Sequence, residues 1–85
     1  MPDIQFKRIL VLAHPQVPEA AQIAGQVAAF LETQQVTATY GLLYDENLHR
    51  QVKNHQFDLL VALGGDGTML RAGHLCGPLG LPILG

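Results

Sequence analysis

Eighty-five residues, 48% of them hydrophobic, with a net charge of −2, bound the chain to one small domain at most. A domain of that size buries only roughly 60–65% of its unfolded surface. Five Lys and Arg without a basic block argue against binding nucleic acid by charge. No apolar run approaches the ~20 residues of a membrane span. The lone Cys76 excludes an internal disulfide and fits a reducing cytoplasm.

Met1 to Arg8 carries Asp3 and lacks the basic-then-apolar layout of a signal peptide, so the chain reads as soluble, cytoplasmic and not secreted. Arg8 to Ala13 is a continuous apolar run without alternation, the pattern of a strand covered on both faces. His14-Pro15-Gln16-Val17-Pro18 breaks it. A helix is predicted from about Pro18 or Glu19, with Ala20, Ile23, Ala24, Val27, Phe30 and Leu31 as its core stripe. Val36 to Tyr40 alternates and reads as a second strand. In the polar stretch that follows, Asp45 can cap a short helix that turns Leu48 and Val52 inward.

Phe57 to Leu63 is the third strand, fully apolar after Asp58. Gly64 to Gly67 reads as a loop, with Thr68 capping a helix over Met69 to Leu75 and Met69 as core filler. Gly77-Pro78-Leu79-Gly80 ends that helix. Pro82-Ile83-Leu84 reads as a fourth strand just begun, so the expectation is that the chain is part of something longer. Strands alternating with helices predict an α/β fold with a parallel sheet and right-handed crossovers. Such sheets bind ligands beyond the carboxyl ends of their strands, where Gly64-Gly65-Asp66-Gly67-Thr68 falls.

Three glycines let the backbone approach a ligand without Cβ clashes, and the helix that follows offers free N–H groups and a positive dipole end. That combination suits phosphate. The loop is not a Walker A motif, since it has no lysine. It is not the dinucleotide fingerprint either, since Leu70 stands where the third glycine is needed. Asp66 is the odd part, because a carboxylate repels phosphate unless it has another task. Two tasks fit. It can hold a magnesium ion on the phosphates, or it can accept a proton from a hydroxyl that attacks phosphorus. The plain alternative is a tight strand-to-helix turn with Asp66 as its cap.

The run "LGGDGTMLRA" (Leu63 to Ala72), preceded by "FDLLVA" and followed by "GLPILG", closely resembles the amino-terminal domain of the ATP- or polyphosphate-dependent NAD kinases. The resemblance is specific from Phe57 to Ala72 and from Leu81 to Gly85. It implies a Rossmann-like three-layer α/β domain over residues 1–85, the amino-terminal domain of a two-domain kinase that phosphorylates the adenosine-ribose 2′-hydroxyl of NAD to give NADP. By the same resemblance Asp66 is the proton acceptor and also contacts the dinucleotide. Gly64, Gly65, Gly67 and Thr68 complete the loop around the phosphates, and Arg71 reaches the NAD phosphates. ATP or polyphosphate is the implied donor, with a divalent cation such as Mg2+.

Members of this family usually show Asn-Pro after the first strand, where His14-Pro15 stands here. The family's second, mostly β domain supplies an Asn-Glu/Asp motif, further NAD contacts and the homo-oligomer interface, so the isolated chain is expected to hold half a site and little activity. Diacylglycerol and sphingosine kinases share the Gly-Gly-Asp-Gly-Thr signature and remain the alternative enzyme reading. A non-catalytic nucleotide-binding fragment is the alternative of a different class. The four histidines show no zinc-ligand spacing. His49, His55 and His74 read as surface residues.

Overall fold

A computed structural model describes residues 6–85; Met1 to Gln5, part of the stretch read above for signal layout, lie outside the described residues. Strands β1 (Arg8–Ala13), β2 (Thr37–Leu42), β3 (Leu59–Leu63) and β4 (Ile83–Leu84) alternate with helices α1 (Pro18–Thr33), α2 (Glu46–Lys53) and α3 (Asp66–Cys76). All three strand pairings are parallel, in the order β2-β1-β3-β4. The α/β reading of the sequence therefore holds.

The unbroken apolar run of β1 serves two cores at once. Its even residues, Leu10 and Leu12, pack with Leu43, Leu48, Val52, Leu60, Ala62, Ala72 and Cys76 on the α2–α3 face. Its odd residues, Ile9, Val11 and Ala13, pack with Ala20 and Ala24 of α1 on the other. Successive strand side chains point to opposite faces, so a strand between two helix layers has no polar position to spare. β3 is less evenly served. Leu60 and Ala62 are buried on the α2–α3 face, whereas Leu59, Val61 and Leu63 are only half-buried on the other.

Helix α1 corrects the predicted core stripe. Its buried residues are Ala20, Ala24 and Ala28, while Ile23 and Phe30 are 46% and 63% exposed. At 100° per residue the alanines, with Val27 and Leu31 beside them, centre the face, and Ile23 and Phe30 fall roughly 90° or more to one side. Small side chains at the contact let the helix sit close to β1 and β2, which leaves the larger flanking residues outside. Met69, expected in the core, is 39% exposed.

Helix α2 starts as the sequence indicates: the Asp45 carboxylate accepts the N–H groups of Asn47 and Leu48 at 2.9 and 3.2 Å, and Leu48 and Val52 are buried. β3 starts two residues later than predicted. Asp58 turns out of it and accepts the backbone N–H groups of Lys7 and Arg8, each at 3.0 Å, together with an Arg8 guanidinium N–H at 3.0 Å. These bonds fix the entry of β1 beside β3.

The Arg8 side-chain hydrogen bond above all, helped by the two backbone N–H groups, holds the Asp58 carboxyl below the ordinary 3.8 against a desolvation effect larger than either backbone bond. A depressed folded-state value stabilises the protein above the unfolded-state value and loses that contribution as pH falls through the folded one. Asp58→Asn, an isostere of the protonated acid, is expected to cost about 1 kcal/mol at pH 7, kept small by solvent around the pair. Urea denaturation should show that difference shrink below about pH 4. A gap that persists unchanged into acid would remove ionisation as its cause. Cys76 is fully buried, and burial pushes its thiol above the ordinary range. No helix among the described residues is long and apolar enough to cross a membrane.

Candidate functional site

The glycine-rich turn lies where β3 ends and α3 begins, at the carboxyl edge of the sheet. Only Gly64 and Gly65 form the bend. Asp66 and Gly67 are already the first two residues of α3, and Gly65 is its N-cap in an extended conformation. Thr68, expected to cap the helix, instead sits at its third position with 1% exposure. Its Oγ1 reaches back to accept the Gly65 N–H at 3.4 Å. This is the return half of a capping box, which a threonine three residues into the helix can supply when the cap itself has no side chain.

Gly64 has φ +155°, and a Cβ there would overlap Thr68 Oγ1 and lie 2.9 Å from the His14 Cβ. Glycine is therefore required by the fold. Gly65 and Gly67 are different: a Cβ at either would meet nothing within 4 Å. Gly67, in the first turn of α3, costs up to about 1 kcal/mol against alanine. Nothing among the described residues accounts for that cost; both positions face open space.

A second segment closes over the turn from the end of β1. His14 N–H donates to Leu63 O at 3.0 Å and extends the sheet by one residue. Its Nδ1 accepts the Gln16 N–H at 3.1 Å, which puts the proton of the neutral ring on Nε2. Nδ1 occupies the place of an asparagine side-chain oxygen in the turn that asparagine makes with the residue two ahead. Gly65, Gly67 and Thr68 line a cleft of about 290 Å3 with His14, Gln16 and Val17.

Asp66 lies between the two lining glycines, and its side chain is exposed with no hydrogen bond among the described residues. The N–H groups of Asp66 and Gly67, at the start of α3, have no intrahelical acceptor. Arg71 does not join them. Five residues beyond Asp66, it is turned roughly 140° around the helix. Its guanidinium lies 5.1 Å from the centroid of the Tyr44 ring, on the α2 side. The other edge of Tyr44 meets His14, with ring centroids 6.2 Å apart at 75°. Tyr44 thus links the β1 end to Arg71. It was not among the residues singled out from the sequence, although its place just past β2, at the same sheet edge, was a usable signal.

Another cleft, of about 910 Å3, lies at the opposite end of the strands around Lys7, Arg8 and Asp58. Its Arg8 and Asp58 side chains are engaged in the pairing that anchors β1, and parallel sheets bind ligands at the other edge.

The fold and this edge define a Rossmann-like α/β domain with a glycine-rich strand-to-helix turn. The family model of the ATP-NAD kinase N-terminal domain matches residues 44–85, the stretch from Tyr44 through the turn to the end of the chain. A curated NAD kinase of Methanothermobacter thermautotrophicus is 37% identical over 84 residues, covering 92% of this chain and 30% of the relative. One from Heliobacterium modesticaldum is 31% identical over 81 residues, covering 88% and 29%, and one from Treponema denticola is 30% identical over 78 residues, covering 92% and 27%. No solved structure matches the chain. The chain belongs to the NAD kinase family, and it spans less than a third of the length of these curated relatives.

Proposed function

We propose that this chain carries the acidic glycine-turn part of an NAD kinase site, which transfers a phosphoryl group from ATP or polyphosphate to the adenosine-ribose 2′-hydroxyl of NAD. The observation that carries the reading is the pair Gly65 and Gly67. Neither is needed for packing or backbone conformation, one costs helix stability, and between them stands an exposed carboxylate. A nucleotide pressed against the turn accounts for all three.

In this reading the free amides of Asp66 and Gly67, with the positive end of α3, receive phosphate oxygens. Gly64 holds the bend, and Thr68 fixes the first turn from beneath. Asp66 accepts the ribose hydroxyl proton as the oxygen–phosphorus bond forms. A carboxylate is a weak base, so its contribution is orientation toward a proton that becomes acidic only in the transition state. Arg71, held over Tyr44, adds positive charge to the same rim.

A divalent cation fits only in part. Among the described residues no cluster of three or more His, Cys, Asp or Glu could hold one. Asp66 would be its single protein carboxylate here, the remaining ligands being phosphate and water, an arrangement magnesium accepts. The ion would neutralise phosphate charge.

The relatives are over three times as long as the stretch matched, so we also propose that turnover requires more than these 85 residues, and that the remainder supplies further NAD contacts and a homo-oligomer interface. The reading carries a cytoplasmic location, with neither membrane nor nucleic acid as partner. Titrating the chain with NAD and with ATP while following amide shifts tests the binding half. Shifts centred on Gly64 to Arg71 are expected. A flat titration with both ligands would favour a fragment that does no binding of its own.

A further inference from the structure

The segment His14-Pro15-Gln16-Val17 that follows β1 is a β-turn, closed by the Val17 N–H donating to His14 O at 3.1 Å. Proline in the second place of such a turn sets its backbone angle in advance. The His14 backbone N–H is bonded to Leu63 O, so the turn is tied to the end of β3 as well. The side chain is held too. Nδ1 accepts the Gln16 N–H, and the ring packs edge-on against Tyr44. A group already held in place loses little freedom when it binds.

One polar group of this ring has no task inside the fold. Among the described residues no hydrogen bond uses the Nε2–H. No buried side-chain nitrogen or oxygen among them lacks a partner either, so the half-buried His14 keeps Nε2 open to solvent. The ring stands beside the glycine turn: only 2.9 Å would separate its Cβ from a Cβ on Gly64. It also lines the cleft of about 290 Å3 together with Gly65, Gly67 and Thr68. No lysine or arginine lines that cleft, so its donors are neutral ones. Gln16, the other side-chain amide or imidazole donor of the lining, is exposed, and its side chain has no hydrogen bond among the described residues to fix it.

We infer that His14 is a further binding residue of the glycine turn: its Nε2–H donates to a phosphate oxygen of the bound nucleotide from the β1 side, while the amides of Asp66 and Gly67 donate from the α3 side. The inference rests on the nucleotide reading of the turn given above and adds a residue to it. A phosphate oxygen makes the bond charge-assisted, although the ring itself is neutral. The two ring nitrogens then have separate duties. Nδ1 shapes the β-turn, and Nε2 meets the ligand.

Two substitutions separate those duties. His14→Asn places an acceptor near where Nδ1 stands and has no donor beyond it. His14→Gln extends an N–H about as far as Nε2 and lacks the nearer acceptor. The full chain is titrated with ATP and, separately, with NAD, followed by amide shifts and by the proton–nitrogen correlations of the histidine rings. The free protein should show His14 protonated on Nε2, and nucleotide should move that nitrogen together with the turn amides. His14→Asn should keep the Gln16 amide in place and weaken the nucleotide about tenfold, the ordinary effect of losing one hydrogen bond to a charged group. His14→Gln should disturb the Gln16 amide and bind closer to the parent. The nucleotide whose affinity falls in His14→Asn is the one whose phosphate His14 meets. Turn amides that shift while the His14 ring does not would overturn the inference and leave the nucleotide reading standing. Parent-like affinity for both nucleotides in His14→Asn, or equal losses in the two variants, would do the same. A parent chain that binds neither nucleotide would overturn the nucleotide reading itself, and the role of His14 with it.

Discussion

Gly64→Ala is expected to remove about 3 kcal/mol of stability, the sum of a strained backbone angle and an overpacked contact, each worth about 1–3 kcal/mol. The two costs have separate origins in the same residue. At φ +155° an L side chain is strained whatever space surrounds it, and here the space is also filled by Thr68 Oγ1 and the His14 Cβ. Neither neighbour can withdraw cheaply. Thr68 is buried at the start of α3 and bonded to the Gly65 amide, while three hydrogen bonds tie His14 to Leu63, Gln16 and Val17. For a chain of this length the melting temperature should fall by roughly 10–20 °C. Gly65→Ala is the control. Its φ of −135° is ordinary and its Cβ would meet nothing, so it should change stability by less than about 1 kcal/mol. Urea denaturation of both variants checks the contrast; equal losses would show that the glycine turn is not held by the contacts described. The same pair separates structure from binding, because Gly65→Ala should weaken nucleotide binding in a chain that remains folded.

Where local chemistry alone decides an element, the sequence was a sufficient guide. Asp45 followed by Leu48 and Val52 specifies a capped, amphipathic turn of helix without reference to anything distant, and α2 is built that way. The unbroken run of β1 likewise reveals a strand between two layers, because no other arrangement buries both of its faces. The errors share a different cause. Which side of α1 is buried depends on how closely it can approach the sheet, and the alanines win that contest over the more hydrophobic Ile23 and Phe30. Threonine favours the cap position, but Gly65 needs an acceptor for its own amide and takes Thr68 from inside the helix. Spacing put Arg71 near the start of α3 and said nothing of its direction. That direction follows from Tyr44, a neighbour twenty-seven residues earlier in the chain that only the folded sheet edge brings alongside.

In an active enzyme containing this sequence, Asp66→Asn is expected to lower kcat for NADP formation by about 10²–10⁴-fold, the usual range for a positioned proton acceptor. The lower end is the better expectation. In phosphoryl transfer the transition state is loose, and the attacking hydroxyl keeps its proton until late. Asparagine preserves the size of the side chain and the open amides of Asp66 and Gly67, so KM for NAD should change by only a few-fold; kcat and kcat/KM should fall together. The exposed position of Asp66, without partners among the described residues, makes the test clean, since no internal hydrogen bond or ion pair is broken and the fold should be unaffected. Proton acceptance and magnesium binding then predict different rescues. If the carboxylate takes the proton, raising the divalent-cation concentration leaves the variant slow. If it mainly holds the ion on the phosphates, higher cation concentration restores much of the rate, because the lost ligand weakens affinity more than geometry. Unimpaired turnover in the variant would remove Asp66 from both roles and return the turn to the simpler task of gripping phosphate through its amides.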